Sequence, residues 1–309
     1  MKLLLICGPT ACHKSETALR LAKAFDGEIL SADSVAVYRG MDIGSAKPTK
    51  QEQRQVPHHL IDIASPDDGD FSVSAFQKAA DAAIVDISSR NKLPILVGGS
   101  GLYCDAVLEN MGYALPKDPA LRAELESEYD RDPQAFFAAM AADDPAAGER
   151  LHPNDKKRVV RAREVYLLCG KPFSAFNTDY QQAQHNSRYD ALRIGLNMDR
   201  DLLYAAIEGR VDRMIQQGLI QEAKALYDKG YDRQLPAMQA IGYAQLFAYF
   251  DQEVSLTRAI LDIKQATRRF AKRQLTWFGR DERIRWFDCG NYEQAYLGIY
   301  AYVKENLNK

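Results

Sequence analysis

The sequence predicts an α/β protein: a parallel sheet flanked by helices, with an all-helical segment inserted into the chain. Three observations carry this prediction. Short apolar runs of strand length alternate with helical patterns. A glycine-bearing loop follows the first run and opens straight into a helical pattern. From about Pro116 to Tyr189 the strand patterns stop and helix-forming segments follow one another. The expected division is a core of residues 1–115 and 190–309, carrying C-terminal helices, and a helical insertion of residues 116–189. With 309 residues, 46% of them hydrophobic, the chain can bury a sizeable core in one large domain or two modest ones.

Taken in order, strands are expected at Leu3 to Cys7, Glu28 to Leu30, Leu60 to Ile63, Pro94 to Val97 and Leu192 to Leu196, with an edge strand at Arg283 to Phe287. Helices are expected at Glu16 to Phe25, Pro119 to Tyr129 and Pro133 to Ala142. Long helices should then run through Phe278, and a last one over Tyr292 to Leu307. Parallel sheets gather ligands at the carboxyl ends of their strands, where Gly8, Asp33 and Gly98 would emerge. Three separate regions thus point at one crevice.

The formal net charge of −2 means that contact with nucleic acid must come from local basic patches. No stretch approaches the roughly 18–20 uninterrupted apolar residues that span a bilayer, and the opening MKLLLICG reads as a strand rather than a signal peptide. The five cysteines, Cys7, Cys12, Cys104, Cys169 and Cys289, lack the close pairs of a zinc ribbon or redox motif. A reduced, cytoplasmic protein without a structural metal is expected.

After the first strand stands Gly8-Pro9-Thr10-Ala11-Cys12-His13-Lys14-Ser15. This is the setting of a phosphate-binding loop in a P-loop NTPase-like core. Backbone N–H groups and a helix N-terminus cradle an anion, a lysine neutralises it, and a hydroxyl meets magnesium. The pattern G-x-x-x-x-G-K-[ST] asks for glycine where this chain has His13. A side chain there could crowd the phosphates or strain the backbone, or it could sit exposed and leave the site working. The plainer reading of the whole loop is a structural turn.

The next stretch, Ser31-Ala32-Asp33-Ser34-Val35-Ala36-Val37-Tyr38-Arg39-Gly40-Met41-Asp42-Ile43-Gly44-Ser45-Ala46-Lys47-Pro48, is more specific. It is followed by Val56-Pro57-His58-His59-Leu60-Ile61-Asp62, by Val97-Gly98-Gly99-Ser100-Gly101-Leu102-Tyr103 and by His152-Pro153-Asn154. The C-terminal half adds Gln239-Ala240-Ile241-Gly242-Tyr243 and Ala271-Lys272-Arg273-Gln274-Leu275-Thr276-Trp277-Phe278. In order and over nearly the whole chain, these blocks resemble the tRNA dimethylallyltransferase family.

The resemblance implies that the loop binds the diphosphate of dimethylallyl diphosphate, with Mg2+, and that the acceptor is N6 of the adenosine just 3′ of the anticodon. The implied partners are a tRNA anticodon stem-loop and the donor, with no membrane and no obligate protein partner. Gly8 to Ser15 and Arg210 would bind the diphosphate, Ser15 through the metal. Lys14, Asp33 and Ser100 would be catalytic, Asp33 as the base that takes the N6 proton. Ser100 replaces the family's usual threonine and keeps the hydroxyl that could touch the bridging oxygen. Plainer readings are a turn or helix cap for Asp33 and a solvated helix charge for Arg210.

For tRNA, the resemblance points to Asp33, Ser34, Val35, Ala36, Ser100, Gln239, Gly242 and Tyr243. Ala36 stands where many relatives carry glutamine. Two basic segments add candidates of their own. Residues 156–163, KKRVVRAR, place Arg158 and Arg161 on one helical face at spacing i, i+3, with Lys157 next to them in the chain, although such faces are usually just solvated. Arg268, Arg269, Lys272 and Arg273 are interleaved with Phe270, Trp277 and Phe278, the mixture of charge and flat rings that unpaired RNA favours. Trp277 reads better as core. The acceptor must leave its stack, and a crevice between core and insertion is expected to receive it. Two other readings stand beside this one: a small-molecule P-loop kinase, which would share the core but leave the Ala271 to Phe278 block and the basic insertion helix unaccounted for, and a tRNA-binding paralogue silenced by His13.

Overall fold

A computed structural model describes residues 1–69, 71–109, 115–176 and 187–307. It contains two compact units, one of Met1–Leu108 with Tyr189–Lys309, the other of Glu109–Arg188.

The first unit is built on six strands: β1 (Lys2–Cys7), β2 (Gly27–Ala32), β3 (His58–His59), β4 (Leu93–Gly98), β5 (Asp190–Asn197) and β6 (Arg285–Asp288). They form one sheet in the order β3-β2-β4-β1-β5-β6, and every pairing is parallel. The central strands are apolar throughout because both faces are covered. Leu3, Leu5 and Cys7 enter one core with Leu30, Leu96, Phe76 and Ile84. Leu4 and Ile6 enter the other with Ile29, Ile95, Leu21 and Ile299. Cys7 and Ala32 both stand level with Gly98, so β1, β2 and β4 end together and release Gly8, Asp33 and Gly99 at one edge.

Two strand expectations need correction. Leu60 to Ile63 is not a strand: β3 ends at His59, and positive φ at Leu60 (65°) and Asp62 (57°) turns the chain out of the extended region. Leu60 is buried all the same, which is what the apolar run reported. The edge strand starts at Arg285 rather than Arg283, whose backbone N–H and guanidinium are both held by Asp281.

Among the described residues, the first unit carries α1 (Lys14–Ala24), α2 (Lys50–Gln55), α3 (Val73–Ser89) and α4 (Gly101–Leu108). The second carries α5 (Pro119–Arg131), α6 (Pro133–Asp143), α7 (Pro145–Arg150) and α8 (Lys156–Cys169). The chain then returns to the first with α9 (Arg200–Gln216), α10 (Leu219–Asp228), α11 (Tyr243–Phe250), α12 (Leu256–Phe278) and α13 (Tyr292–Leu307). In the second unit Asp118, Asp132 and Asp144 each cap a helix whose first residue is proline. Its core gathers Leu125, Tyr129, Phe136, Met140 and Val159. Residues 177–186 of the expected insertion lie outside the described residues.

Candidate active site

The phosphate loop begins where β1 meets β5. A side chain on Gly8 would put its Cβ 2.2 Å from the Leu196 carbonyl oxygen, and φ is +132°, so only glycine fits. Lys14 opens α1 and folds back over the loop, donating from Nζ to the Pro9 carbonyl at 2.6 Å. Burial pushes its ammonium down to about 8; Arg210 acts the same way, while Cys12 and Asp33 oppose it. The Arg210 guanidinium is likewise pushed down by burial and held up by Asp33. Two poorly hydrated cations thus share a wall with one carboxylate.

His13 takes the left-handed conformation (φ 54°, ψ 17°) that a glycine would adopt freely. Such a conformation costs a non-glycine residue roughly 1–2 kcal/mol. Neighbours offset the strain. The imidazole stacks on Tyr292 of α13 with centroids 4.4 Å apart and planes 17° from parallel, and Nδ1 lies 3.1 Å from Glu16 Oε2. The ring so held lines a cavity of 350 Å³ together with Lys14, Ser15 and Arg210.

Asp33 follows β2 and does form the turn: Oδ1 accepts from the N–H groups of Val35 (2.8 Å) and Ala36 (3.1 Å). Oδ2 has no hydrogen-bond partner among the described residues, so one oxygen fixes the carboxylate while the other stays available. Ser100 follows β4. Its N–H donates to the Ala32 carbonyl, and its Oγ accepts from the Ser34 N–H at 3.0 Å and donates to Ser34 Oγ at 3.2 Å. The two post-strand loops are therefore stitched together.

Two adjoining cavities, of 260 and 110 Å³, share Thr10, Asp33, Ser45, Arg210 and Phe270. The larger is bounded by Val35, Met214, Ile241, Ile263, Ser100 and Arg273. The smaller takes in Lys14, Ser15, Ile29, Val97 and Gly99. An anion-binding wall therefore adjoins an apolar recess, with a carboxylate and a hydroxyl at their junction. That combination suits a substrate with a charged leaving group and a small apolar tail.

Thr10, Lys14, Ser15, Asp33, Ser34, Val35, Ser100, Arg210, Gln239, Gly242 and Arg273 all line this pair of cavities. One expected tRNA contact requires correction. Tyr243 is wholly buried and donates its hydroxyl to Glu222 at 2.7 Å, so it cannot touch a ligand. Ala36 is 3% exposed and lines the smaller cavity. Lys272 is exposed and lines neither cavity. In the second unit Arg158 is 72% exposed, whereas Arg161 is taken up by Glu164 and the carbonyls of Leu115 and Pro116. Trp277 packs as core: its ring fills the space beside Gly101, and Nε1 donates to Asp105 Oδ2 at 3.0 Å.

Two residues escaped the sequence reading. Glu222 of α10 accepts the consecutive N–H groups of Asp42, Ile43 and Gly44, at 2.8 to 3.1 Å, as well as Tyr243 Oη. It fixes the loop that brings Ser45 and Lys47 to the cavities. Gln274, 4% exposed, joins Thr10 N–H to the Gly99 carbonyl. Its signs in the sequence were its place in the Ala271 to Phe278 block and a polar residue on the apolar stripe of α12.

Comparison with known proteins shows which proteins the chain resembles. The profile described as IPP transferase matches residues 36–281. The tRNA dimethylallyltransferase 2 of Geotalea uraniireducens is 45% identical over 306 residues, which cover 99% of this chain and 97% of that one. The tRNA dimethylallyltransferase of Desulforudis audaxviator is 47% identical over 307 residues, 98% of each chain. Among solved structures, the full-length tRNA isopentenylpyrophosphate transferase of Bacillus halodurans aligns with a TM-score of 0.73 at 43% identity, over 99% of this chain and 97% of its own. A eukaryotic dimethylallyltransferase acting on tRNA aligns with a TM-score of 0.82 at 27% identity, over 95% of this chain and 75% of its own.

Proposed function

This chain belongs to the IPP transferase family, and from that premise we propose that it is a tRNA dimethylallyltransferase, moving the dimethylallyl group of dimethylallyl diphosphate onto N6 of the adenosine just 3′ of the anticodon. The observation that carries the reading is the crevice at the ends of β1, β2 and β4, where Lys14, Ser15 and Arg210 adjoin Asp33 and Ser100. The C1–O bond of the donor breaks as the N6–C1 bond forms, and the N6 proton passes to the free oxygen of Asp33. Lys14, Arg210 and the loop N–H groups stabilise charge on the departing diphosphate. Because their shells of water are already depleted, these cations act strongly on that charge. The Ser100 hydroxyl, oriented by Ser34, meets the bridging oxygen.

Among the described residues no cluster of three His, Cys, Asp or Glu side chains could cage a metal, but the exposed Ser15 hydroxyl beside Lys14 suits an ion completed by diphosphate oxygens. Ser15 would hold Mg2+, which supplies neutralising charge to the leaving group when bound. Lys157, Arg158, Lys272 and Arg273 serve the phosphates of the stem-loop, while the acceptor base leaves its stack to enter the larger cavity. The chain works in the cytoplasm; no described helix is long and apolar enough to cross a membrane. The hold of Tyr292 and Glu16 on the His13 ring supports a working loop rather than a silenced one.

The test is transfer of radiolabelled dimethylallyl diphosphate to an unmodified anticodon stem-loop. Label should enter the RNA carrying adenosine at the position 3′ of the anticodon and be absent with guanosine there. Equal labelling of both, or labelling of neither, would overturn the assignment.

A further inference from the structure

Gln274 is the one side chain on α12 whose amide is used at both ends inside the core of the site. Its Oε1 accepts from the Thr10 N–H at 2.9 Å, and its Nε2 donates to the Gly99 carbonyl at 3.0 Å. Thr10 belongs to the phosphate loop. Gly99 precedes Ser100, whose hydroxyl is tied to Ser34 and so to the turn that Asp33 caps. A single planar amide therefore spans the gap between the diphosphate cradle and the group of residues expected to act on the bond being broken.

The surrounding glycines fit this arrangement. A Cβ on Gly98 would lie 2.0 Å from the Ala32 carbonyl oxygen, so that glycine lets β2 and β4 close up. A Cβ on Gly99 would lie 1.9 Å from Gln274 Nε2 and 3.5 Å from the Gly8 carbonyl oxygen. The amide is thus the main obstacle to a side chain at Gly99, whose backbone does not itself demand glycine. The Gly98-Gly99 pair keeps one position clear for a strand and the other for the amide.

We infer that Gln274 is a positioning residue, setting the distance from the phosphate loop to Ser100 and Asp33 and thereby the alignment of the donor's C1 with the acceptor amine. It touches no reacting atom. The inference rests on the transferase reading above, and it adds that the spacing is fixed from a helix outside both loops. Misplacement of reacting groups by about an ångström can cost on the order of 10²-fold in rate. Gln274 also holds the Thr10 N–H of the cradle, but the charge that binds diphosphate comes from Lys14 and Arg210, so binding should change far less than kcat.

The experiment compares wild type, Gln274→Met, which keeps length and bulk without the amide, and Gly99→Ala, which displaces the amide from the other side. Each is measured for kcat and KM in transfer to the stem-loop, for binding of inorganic diphosphate by calorimetry, and for thermal melting. Both variants should lose roughly 30- to 100-fold in kcat, with the Kd for diphosphate within about threefold of wild type. Variants that melt earlier but keep wild-type kcat when folded would overturn the inference, as would a loss confined to diphosphate binding. If Gln274→Met does not fold, Gly99→Ala decides by the same criteria, and a fully active Gly99→Ala counts against the proposal. Failure of the wild type to transfer at all would instead count against the transferase reading.

Discussion

Lys14 shows how a residue plain in the sequence acquires its properties only in the fold. Its place after a strand and at the start of a helix was legible because the loop pattern is local. Its depressed ammonium was not, since burial in the folded site lowers it first and the like charge of Arg210, from the other half of the chain, adds to that. The group is protonated in the empty site below about 8 and neutral above it, whereas a bound diphosphate favours the protonated form. Affinity for inorganic diphosphate should therefore weaken as the pH rises through about 8, with proton uptake on binding. Calorimetry in buffers of different ionisation enthalpy checks this, using Lys14→Arg as the reference that does not titrate; parallel profiles for the two proteins would refute it. His13 teaches the opposite lesson. The sequence marked it as a departure from pattern, but Tyr292, which offsets its strain, comes from the far end of the chain.

At the scale of elements, α12 was expected to be a basic, aromatic RNA-binding segment, and the structure divides it into faces. Ile263, Ala271 and Phe278 enter the cores, Phe270 and Arg273 line the cavities, and Lys272 stands outside. Arg268 is paired with Glu208 and so serves the fold. Composition located the helix, but which residue faces the ligand depends on packing against α9 and the phosphate loop. The apolar run Leu60 to Ile63 failed as a strand for a related reason: burial was read correctly, yet backbone conformation was set by turns that periodicity does not report. Glu222 is a third case, a carboxylate on an ordinary helix that becomes the anchor for three backbone N–H groups far away in sequence. Replacing it with alanine strands those donors and should cost about 2 kcal/mol, lowering Tm by several degrees and raising KM for the donor. Unchanged melting would show that water replaces the carboxylate without penalty.

For the whole molecule, fold class and the meeting of three loops at one edge were legible because parallel α/β architecture dictates them. Strand order was not: β1 lies between β4 and β5, a consequence of long-range pairing that no local pattern encodes. Nor was the shape of the crevice, whose walls come from both ends of the chain, Thr10 and Asp33 from one half, Arg210 and Phe270 from the other. In the proposed reaction this jointly built crevice performs prenyl transfer with Asp33 as its base. Single-turnover transfer by Asp33→Asn, with enzyme in excess over the stem-loop, tests it most directly. A general base contributes about 10²–10⁴-fold, so the rate should fall by that much while stem-loop affinity stays within about threefold. Transfer at close to the wild-type rate would contradict the account and move the base to another residue.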